Sequence, residues 1–499
     1  MKRREFLATT LPAMGGMMLL DCRYANGFAT SKNILEYGAK PDGKTLSTKA
    51  IQHAIDEVFK AGGGTVVVPA GTFLTGLVEL KSRVTLNLAD GSTLLGSTSM
   101  EDYSFEPGSS GHGGPNPRHL VFAMNADDIT ISGTGRIDGQ GSSFWEASNK
   151  PPLPEDQPWA GVASHDLAVK SGGHPSPTLL FVNCRRLSIQ GIHVENAPGW
   201  TLNIVNSDNV NIEGLSIKNP VNGPNTDGID ITGSQNVTIS NCSVETGDDA
   251  ICLKSNNPFG PEPRLVKNIT VTNCRLSTCC NGFKLGTESE GGFEGITFSD
   301  SVIYNNDVPF KERVIAGLAL EVVDGGWIDG VVVKNIQMQR ARTPIFVRLG
   351  NRKRVHDYPQ RGLRNVNIDG IQANEVLVPS SITGLAGLEV RDLTLSHLHI
   401  ENEIRGRPEW VGRAVPEKES AYPEARMFGM LPASGLYVRH ARELSLNDIV
   451  FTAPSGERRP AMIFDDVIGA RLSQVQSSPI SGGMPVLLQS NSHDVKVLK

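Results

Sequence analysis

The chain has 499 residues, 39% hydrophobic and 20% charged, so it can bury a sizeable core and lacks the composition of a disordered protein. Its net charge of −6 argues against nucleic acid as a partner and means that any attraction for a polyanionic ligand must be local. Aromatics are 6%, while Gly numbers 53 and Pro 30, which favours many short strands joined by turns over a helical bundle.

At the N-terminus, Lys2-Arg3-Arg4-Glu5-Phe6-Leu7 precedes a short apolar run, residues 11–20, too brief to span a bilayer. The pattern resembles a twin-arginine export signal, so residues 1–29 are expected to be a signal peptide, with Gly27-Phe28-Ala29 as the small-residue cleavage site. A periplasmic or extracellular location follows, with no stable membrane span. Lipoprotein anchoring at Cys22 ranks second because Asp21 precedes it. Residues 30–499 are expected to form one domain. Of the seven cysteines, Cys242 and Cys274 hold matching places in Ser-Asn-Cys and Thr-Asn-Cys and are expected to stack as small apolar side chains. No zinc-ligand spacing occurs, and neither a metal nor a cofactor is expected.

Ser47 is placed to cap a helix over residues 48–60, with Ile51, Ala54, Ile55, Val58 and Phe59 on one face and Gly62 past its end. Such a helix suits the open end of a stack of coils. Residues 65–69, 76–80 and 84–88 read as short strands. Two Pro- and Gly-rich passages, residues 108–118 and 149–177, read as long loops, and residues 120–124, 129–131 and 136–137 continue the strand pattern between them. Trp145 and Trp159 lie at these loops, where an aromatic either stacks on a sugar or packs the loop on the scaffold.

From Leu179 onward a phrase repeats: Asn209-Val210-Asn211-Ile212, Asn236-Val237-Thr238-Ile239, Asn268-Ile269-Thr270-Val271, Gly295-Ile296-Thr297-Phe298, Gly330-Val331-Val332-Val333, Asn365-Val366-Asn367-Ile368, Leu393-Thr394-Leu395 and Leu444-Ser445-Leu446. Intervals of roughly 22 to 35 residues, with the excess in turns, indicate an all-β chain folded as a single-stranded right-handed parallel β-helix. Residues 401–431, rich in Pro, Glu and Arg, form an insertion expected to rim a cleft.

Ile229 and Ile231 match Ile251 and Leu253 on the next coil, and acids precede both pairs: Asp227 in Asn225-Thr226-Asp227, and Asp248 and Asp249 in Gly247-Asp248-Asp249. Adjacent parallel strands lie roughly 4.8 Å apart, so the three carboxylates are expected to share one small surface at the sheet edge. Close like charges keep at least one of them protonated, the mixture of states that glycoside hydrolysis uses. Taken singly, each acid also fits an Asx turn between strands.

Stacking the strands by their inward residues aligns Ile229, Ile251, Phe283, Leu318 and Ile345. The outward columns are then Asp230, Cys252, Lys284, Ala319 and Phe346, and Thr232, Lys254, Gly286, Glu321 and Arg348. Lys284, with no acid beside it in its column, is a candidate substrate contact. Arg348 either contacts substrate or pairs with Glu321 across one rung.

These phrases, with Tyr37-Gly38-Ala39-Lys40-Pro41-Asp42-Gly43, Ala61-Gly62-Gly63-Gly64-Thr65 and Ile137-Asp138-Gly139-Gln140-Gly141, resemble glycoside hydrolase family 28, the polygalacturonase family. The resemblance implies an inverting hydrolase acting on pectic polysaccharide, with Asp248 as general acid and Asp227 and Asp249 holding the attacking water, carboxylates roughly 6.5–9.5 Å apart. The substrate-binding candidates are Asn225, Lys254, Lys284, Glu288, Glu321 and Arg348. Two motifs depart from the family: Cys279-Cys280-Asn281-Gly282 stands where polygalacturonases have Gly-His-Gly, and Ala319-Leu320-Glu321 stands where they have Arg-Ile-Lys. Rhamnogalacturonan or another complex pectic glycan is therefore expected over plain polygalacturonan. A calcium-dependent pectate-lyase-like enzyme and a noncatalytic glycan-binding β-helix remain as alternatives.

Overall fold

The repeated phrases become strands because each carries two inward apolar residues separated by one outward residue, the period-2 pattern of a pleated sheet. In the computed structural model, which describes residues 30–103, 118–149, 167–305, 314–353 and 362–498, these strands stack in register. Val210 pairs with Val237, Val237 with Ile269, Ile269 with Ile296, Ile296 with Val331, Val331 with Val366, Val366 with Leu393 and Leu393 with Leu444. One parallel sheet of 34 strands winds from Thr30 to Leu498. This is the parallel β-helix, with its core running along the axis. Each inward Val, Ile or Leu is removed from water, worth roughly 1.5–3 kcal/mol per side chain.

The asparagines that open the repeat serve the corners. Asn209, Asn236 and Asn268 adopt positive φ of 57°, 55° and 55°, a conformation that Asn tolerates better than most residues. Their amides form a ladder, in which Asn268 Nδ2 donates to Asn236 Oδ1 at 2.9 Å and Asn236 Nδ2 donates to Asp208 Oδ1 at 2.6 Å. Gly295 and Gly330 turn the same corner at φ 63° and 82°.

The helix Thr48–Lys60 lies at the N-terminal end, burying Ile51, Ala54, Ile55 and Val58. Two details of this helix differ from expectation. Ser47 makes no side-chain cap; its hydroxyl donates to the Thr45 carbonyl and accepts from the Lys40 amide at 3.1 Å. Phe59 is exposed, with the Lys81 ammonium 5.7 Å from its ring centroid, because it lies at the edge of the apolar face. Nearby, the run expected over residues 76–80 contributes only Val78–Glu79, and Gly71–Thr75 is a separate strand.

Trp145 packs rather than facing solvent. It is buried, its indole N–H donates to the Pro198 carbonyl at 2.8 Å, and its strand Trp145–Ala147 pairs antiparallel with Leu167–Val169, inside the stretch read as loop. Trp159 and the expected signal peptide lie outside the described residues. Among the described residues no helix is long and apolar enough to cross a membrane. Cys242 and Cys274 stack buried in the core, and both thiols are free.

The insertion folds back onto the outside of the coil. Ala425, Phe428 and Leu431 cover the outward residues Ala319 and Phe346, while Trp410 and Met430 pack on Leu377 and Val378. Its Tyr422 remains 60% exposed.

Candidate active site

The acids are fixed because their own backbone belongs to the ladder. The Thr201 amide donates to the Asp227 carbonyl, the Gly228 amide to the Asp249 carbonyl and the Ala250 amide to the Asn281 carbonyl, each at 2.9 Å. The flanking glycines permit this approach: a Cβ on Gly228 would lie 2.4 Å from the Ala250 carbonyl oxygen, and one on Gly247 would lie 2.5 Å from that of Gly223. Asp227, Asp248 and Asp249 thus gather at one edge, as their spacing implied. Asp227 and Asp249 are buried, whereas Asp248 is partly exposed. Asp248 Oδ1 accepts the Asp249 amide at 2.8 Å, so this acid also makes a local turn contact.

Both oxygens of Asp249 are engaged. Oδ1 accepts from Asn281 Nδ2 at 2.7 Å, and Oδ2 faces the Lys284 ammonium at 3.0 Å. Within its column Lys284 has no acid beside it, as expected, since Cys252 and Ala319 are its register partners; the acid that pairs with it lies diagonally, just before the preceding strand Ile251–Lys254. Burial opposes the Lys284 charge, but Asp249 and Glu321 outweigh it and hold the ammonium protonated.

The inward and outward columns are as expected: Ile229, Ile251, Phe283, Leu318 and Ile345 stack inward, and Asp230, Cys252, Lys284, Ala319 and Phe346 outward. Lys254 is gripped by Glu288 at 3.1 Å and Asp230 at 3.6 Å, and its ammonium lies 4.8 Å from the Trp200 ring centroid. Burial pushes the Asp230 carboxyl up to about 7, with Lys254 pulling the other way. For Glu288, burial opposes ionisation, and the Lys254 charge and hydrogen bond override it, lowering the carboxyl to about 2. Asp227 is held well above the usual carboxylate range, first by burial and then by the charges of Asp248 and Asp230.

Arg348 and Glu321 are register partners, yet Glu321 Oε2 accepts no hydrogen bond from it. The Arg348 guanidinium turns away, donating to the Glu417 carbonyl at 2.7 Å, the Lys418 carbonyl at 3.1 Å and Thr383 Oγ1 at 3.3 Å, and it is 1% exposed. The insertion offers it more acceptors than one buried carboxyl does. Asn225 is exposed, at φ 50°, beside Asp227.

A model of the glycosyl hydrolases family 28 matches residues 61–390. The chain belongs to this family. A probable polygalacturonase of Vitis vinifera is 26% identical over 410 residues, 78% of this chain and 72% of that protein. An exo-poly-alpha-D-galacturonosidase of Dickeya chrysanthemi is 29% identical over 64% of this chain, a match that spans 56% of its own length. Among solved structures, a family 28 exopolygalacturonase of Yersinia enterocolitica superposes with a TM-score of 0.60 at 19% identity, covering 94% of this chain and 78% of that one. The fold is the right-handed β-helix of these enzymes, and the family makes the chain a glycoside hydrolase.

Both departures from the family phrases have structural consequences in this family 28 chain. The Cys279 thiol donates to the carbonyls of Gly247 at 2.7 Å and Val221 at 3.1 Å, bracing the loop that carries Asp248. Ala319 leaves room for Phe428 to lie over its column. A carboxylate oxygen of Asp248, one of Asp249 and the Cys280 sulfur lie within 4.8 Å of one another, so Asp248 and Asp249 approach more closely than the roughly 6.5–9.5 Å expected of carboxylates that admit a water between them. That set is poorly prepared for a metal, because burial holds the Cys280 thiol protonated and Asp249 is already hydrogen-bonded.

Five residues of the site escaped the sequence reading as functional groups. Asp230 was legible as an outward residue two rungs before Lys284 in the same column, but Trp200, Tyr422, Asp324 and Arg352 come from turns or the insertion, where no periodicity marks direction.

Proposed function

We propose that the chain hydrolyses glycosidic bonds of a pectic polysaccharide with inversion, Asp248 acting as general acid and Asp227 and Asp249 positioning the attacking water. The observation that carries this reading is the convergence of the three acids at one sheet edge, where Lys284 pairs with one of them, Asp249. Asp248, the partly exposed member, is the one able to meet a glycosidic oxygen at the mouth of the site. Burial, and then the charges of Asp248 and Asp230, hold the Asp227 carboxyl well above the usual carboxylate range, which favours a proton there at neutral pH. Asp249, held by Lys284 and Asn281, is suited to fix a water as hydrogen-bond acceptor.

Its relatives act on polygalacturonate by name, which supports a pectic substrate here. Glu288, Lys254 and Trp200 at one side and Lys284 and Tyr422 at the other are the proposed sugar contacts, with Asn225 at the exposed turn. The paired arginines at the N-terminus support export to the periplasm or beyond.

The test is Asp248→Asn, which keeps the shape but cannot deliver the proton. Reducing-end release from pectic oligosaccharides should drop by roughly 10²–10⁴ with circular dichroism unchanged. Turnover within about tenfold of the parent in a folded variant would remove Asp248 as the acid. Products with an ultraviolet-absorbing double bond would instead indicate a lyase.

A further inference from the structure

The outward floor of the coil changes character twice along the axis. Asn203, Asp230, Cys252 and Lys284 follow one another in register on four successive rungs and make the polar floor of the site. On the rungs before them the outward residues are Phe122, Leu180 and Val182, with Val205 beside Asn203. These four belong to an apolar cluster separate from the axial core, and none is more than 3% exposed. On the rungs after them the column continues through Ala319, Phe346, Ser381, Tyr437 and Ile463, and Ala425, Phe428 and Leu431 of the insertion pack on its apolar members.

An apolar side chain that points away from the coil and yet is out of water has other protein over it. Ahead of the site the buried His119 ring stacks on Phe122 with centroids 5.8 Å apart, and its Nδ1 donates to the Pro177 carbonyl at 2.8 Å. Behind the site the cover is the insertion, fastened by Arg348 to the carbonyls of Glu417 and Lys418 and by Arg439 to those of Val415 and Pro416. Between the two covers Asp248 and Trp200 are partly exposed, and Asn225 and Tyr422 face solvent. At about 4.8 Å per rung, the four polar rungs span roughly 14 Å.

The acids and Lys284 are strung along the same axis: Asp227 precedes the strand Ile229–Thr232, Asp248 and Asp249 precede Ile251–Lys254, and Lys284 lies in Asn281–Leu285. A linear glycan spanning them lies along the axis. Any length beyond the four rungs would have to lift one cover or the other and expose apolar side chains to water. We infer that the site is a pocket closed along the sheet at both ends, that it receives a free end of a pectic chain, and that cleavage is therefore exo. The rest of the chain leaves through the open mouth by Tyr422 and Trp200. Each turnover adds one water across a bond near the terminus, its hydroxyl going to the anomeric carbon while the leaving oxygen gains a proton from the acid. This inference rests on the pectic reading above and adds the mode of cleavage to it.

The experiment incubates the full chain with long polygalacturonate and, in parallel, with a long rhamnogalacturonan backbone, following product size and viscosity while few bonds have been cut. Short products of one size class should appear from the start beside uncut polymer, with viscosity nearly unchanged. Oligosaccharides shortened stepwise from one end, with both polymers left intact, would equally support a pocket for chain ends. Fragments of intermediate length with an early fall in viscosity overturn the inference and leave the pectic reading standing. No cleavage of either polymer or of oligosaccharides made from them overturns both.

Closure at both ends also limits length dependence: kcat/KM on oligosaccharides of increasing length should level off once the oligomer fills the four rungs. A continued rise with length would show an open groove and overturn the closure. Phe428→Ala combined with Leu431→Ala thins the cover over Ala319 and Phe346, so in this variant kcat/KM should go on rising with longer oligomers. A plateau unchanged in the folded variant would exclude the insertion as the barrier.

Discussion

The ammonium of Lys284 and the Asp249 carboxylate form a buried ion pair at 3.0 Å that spans the two strands carrying the candidate active site. Removing one partner of such a pair leaves the other as an uncompensated buried charge, at a cost of roughly 3–5 kcal/mol. Lys284→Met should therefore lower the thermal midpoint and reduce hydrolysis by about tenfold or more, acting mainly through kcat because Asp249 loses the group that fixes it. A variant with the parent's melting curve and kcat would show that the pair is dispensable.

Glu321 gives a pH dependence of defined sign. Its carboxyl titrates near 4.5 in the unfolded chain and at about 8 when folded, so the folded state holds a proton that the unfolded state has released. Stability contributed by this group is present at low pH and lost as pH rises from about 4.5 to about 8. Glu321→Gln lacks that loss. Its melting temperature should gain on the parent between about pH 5 and about pH 9, by an amount corresponding to a few kcal/mol. A difference that stays flat across this range would mean that the carboxyl is not buried as described. Glu288 acts oppositely: lowered to about 2 by Lys254 against the effect of burial, it contributes stability above its usual range that is lost on acidification.

Arg348 ties the insertion to the coil through the Glu417 and Lys418 carbonyls, with Phe428 over its guanidinium at 5.4 Å. Hydrogen bonds from a charged donor contribute about 1.5–3 kcal/mol. Arg348→Ala should loosen residues 401–431, seen as faster limited proteolysis within that segment while the coil stays resistant. KM should rise as well, because Tyr422 rides on the same segment. Unchanged cleavage and KM would assign Arg348 no anchoring role.

The coil was legible because its pattern is redundant: rung after rung repeats an inward apolar residue, Val, Ile, Leu or Phe, and a register slip of one residue would turn all of them outward. The same alignment put Lys284 and Glu321 on the right face. What it could not give was the direction of long side chains. Lys284 reaches diagonally to an acid one strand earlier, and Arg348 turns from its register partner toward carbonyls nearly seventy residues away in sequence. Tyr422 and Arg352 lie in irregular segments whose course depends on what they pack against, as Phe428 does on Ala319. Local pattern therefore located the acids, and tertiary packing determined what surrounds them.

The most direct test of water attack positioned by Asp227 and Asp249 is anomer-resolved NMR of the first product released from a pectic oligosaccharide, recorded before mutarotation. A single displacement by water predicts an inverted anomeric configuration, with the β-anomer formed from an α-linked substrate. Release of the retained α-anomer would contradict it, requiring a carboxylate of this cluster to attack the sugar directly.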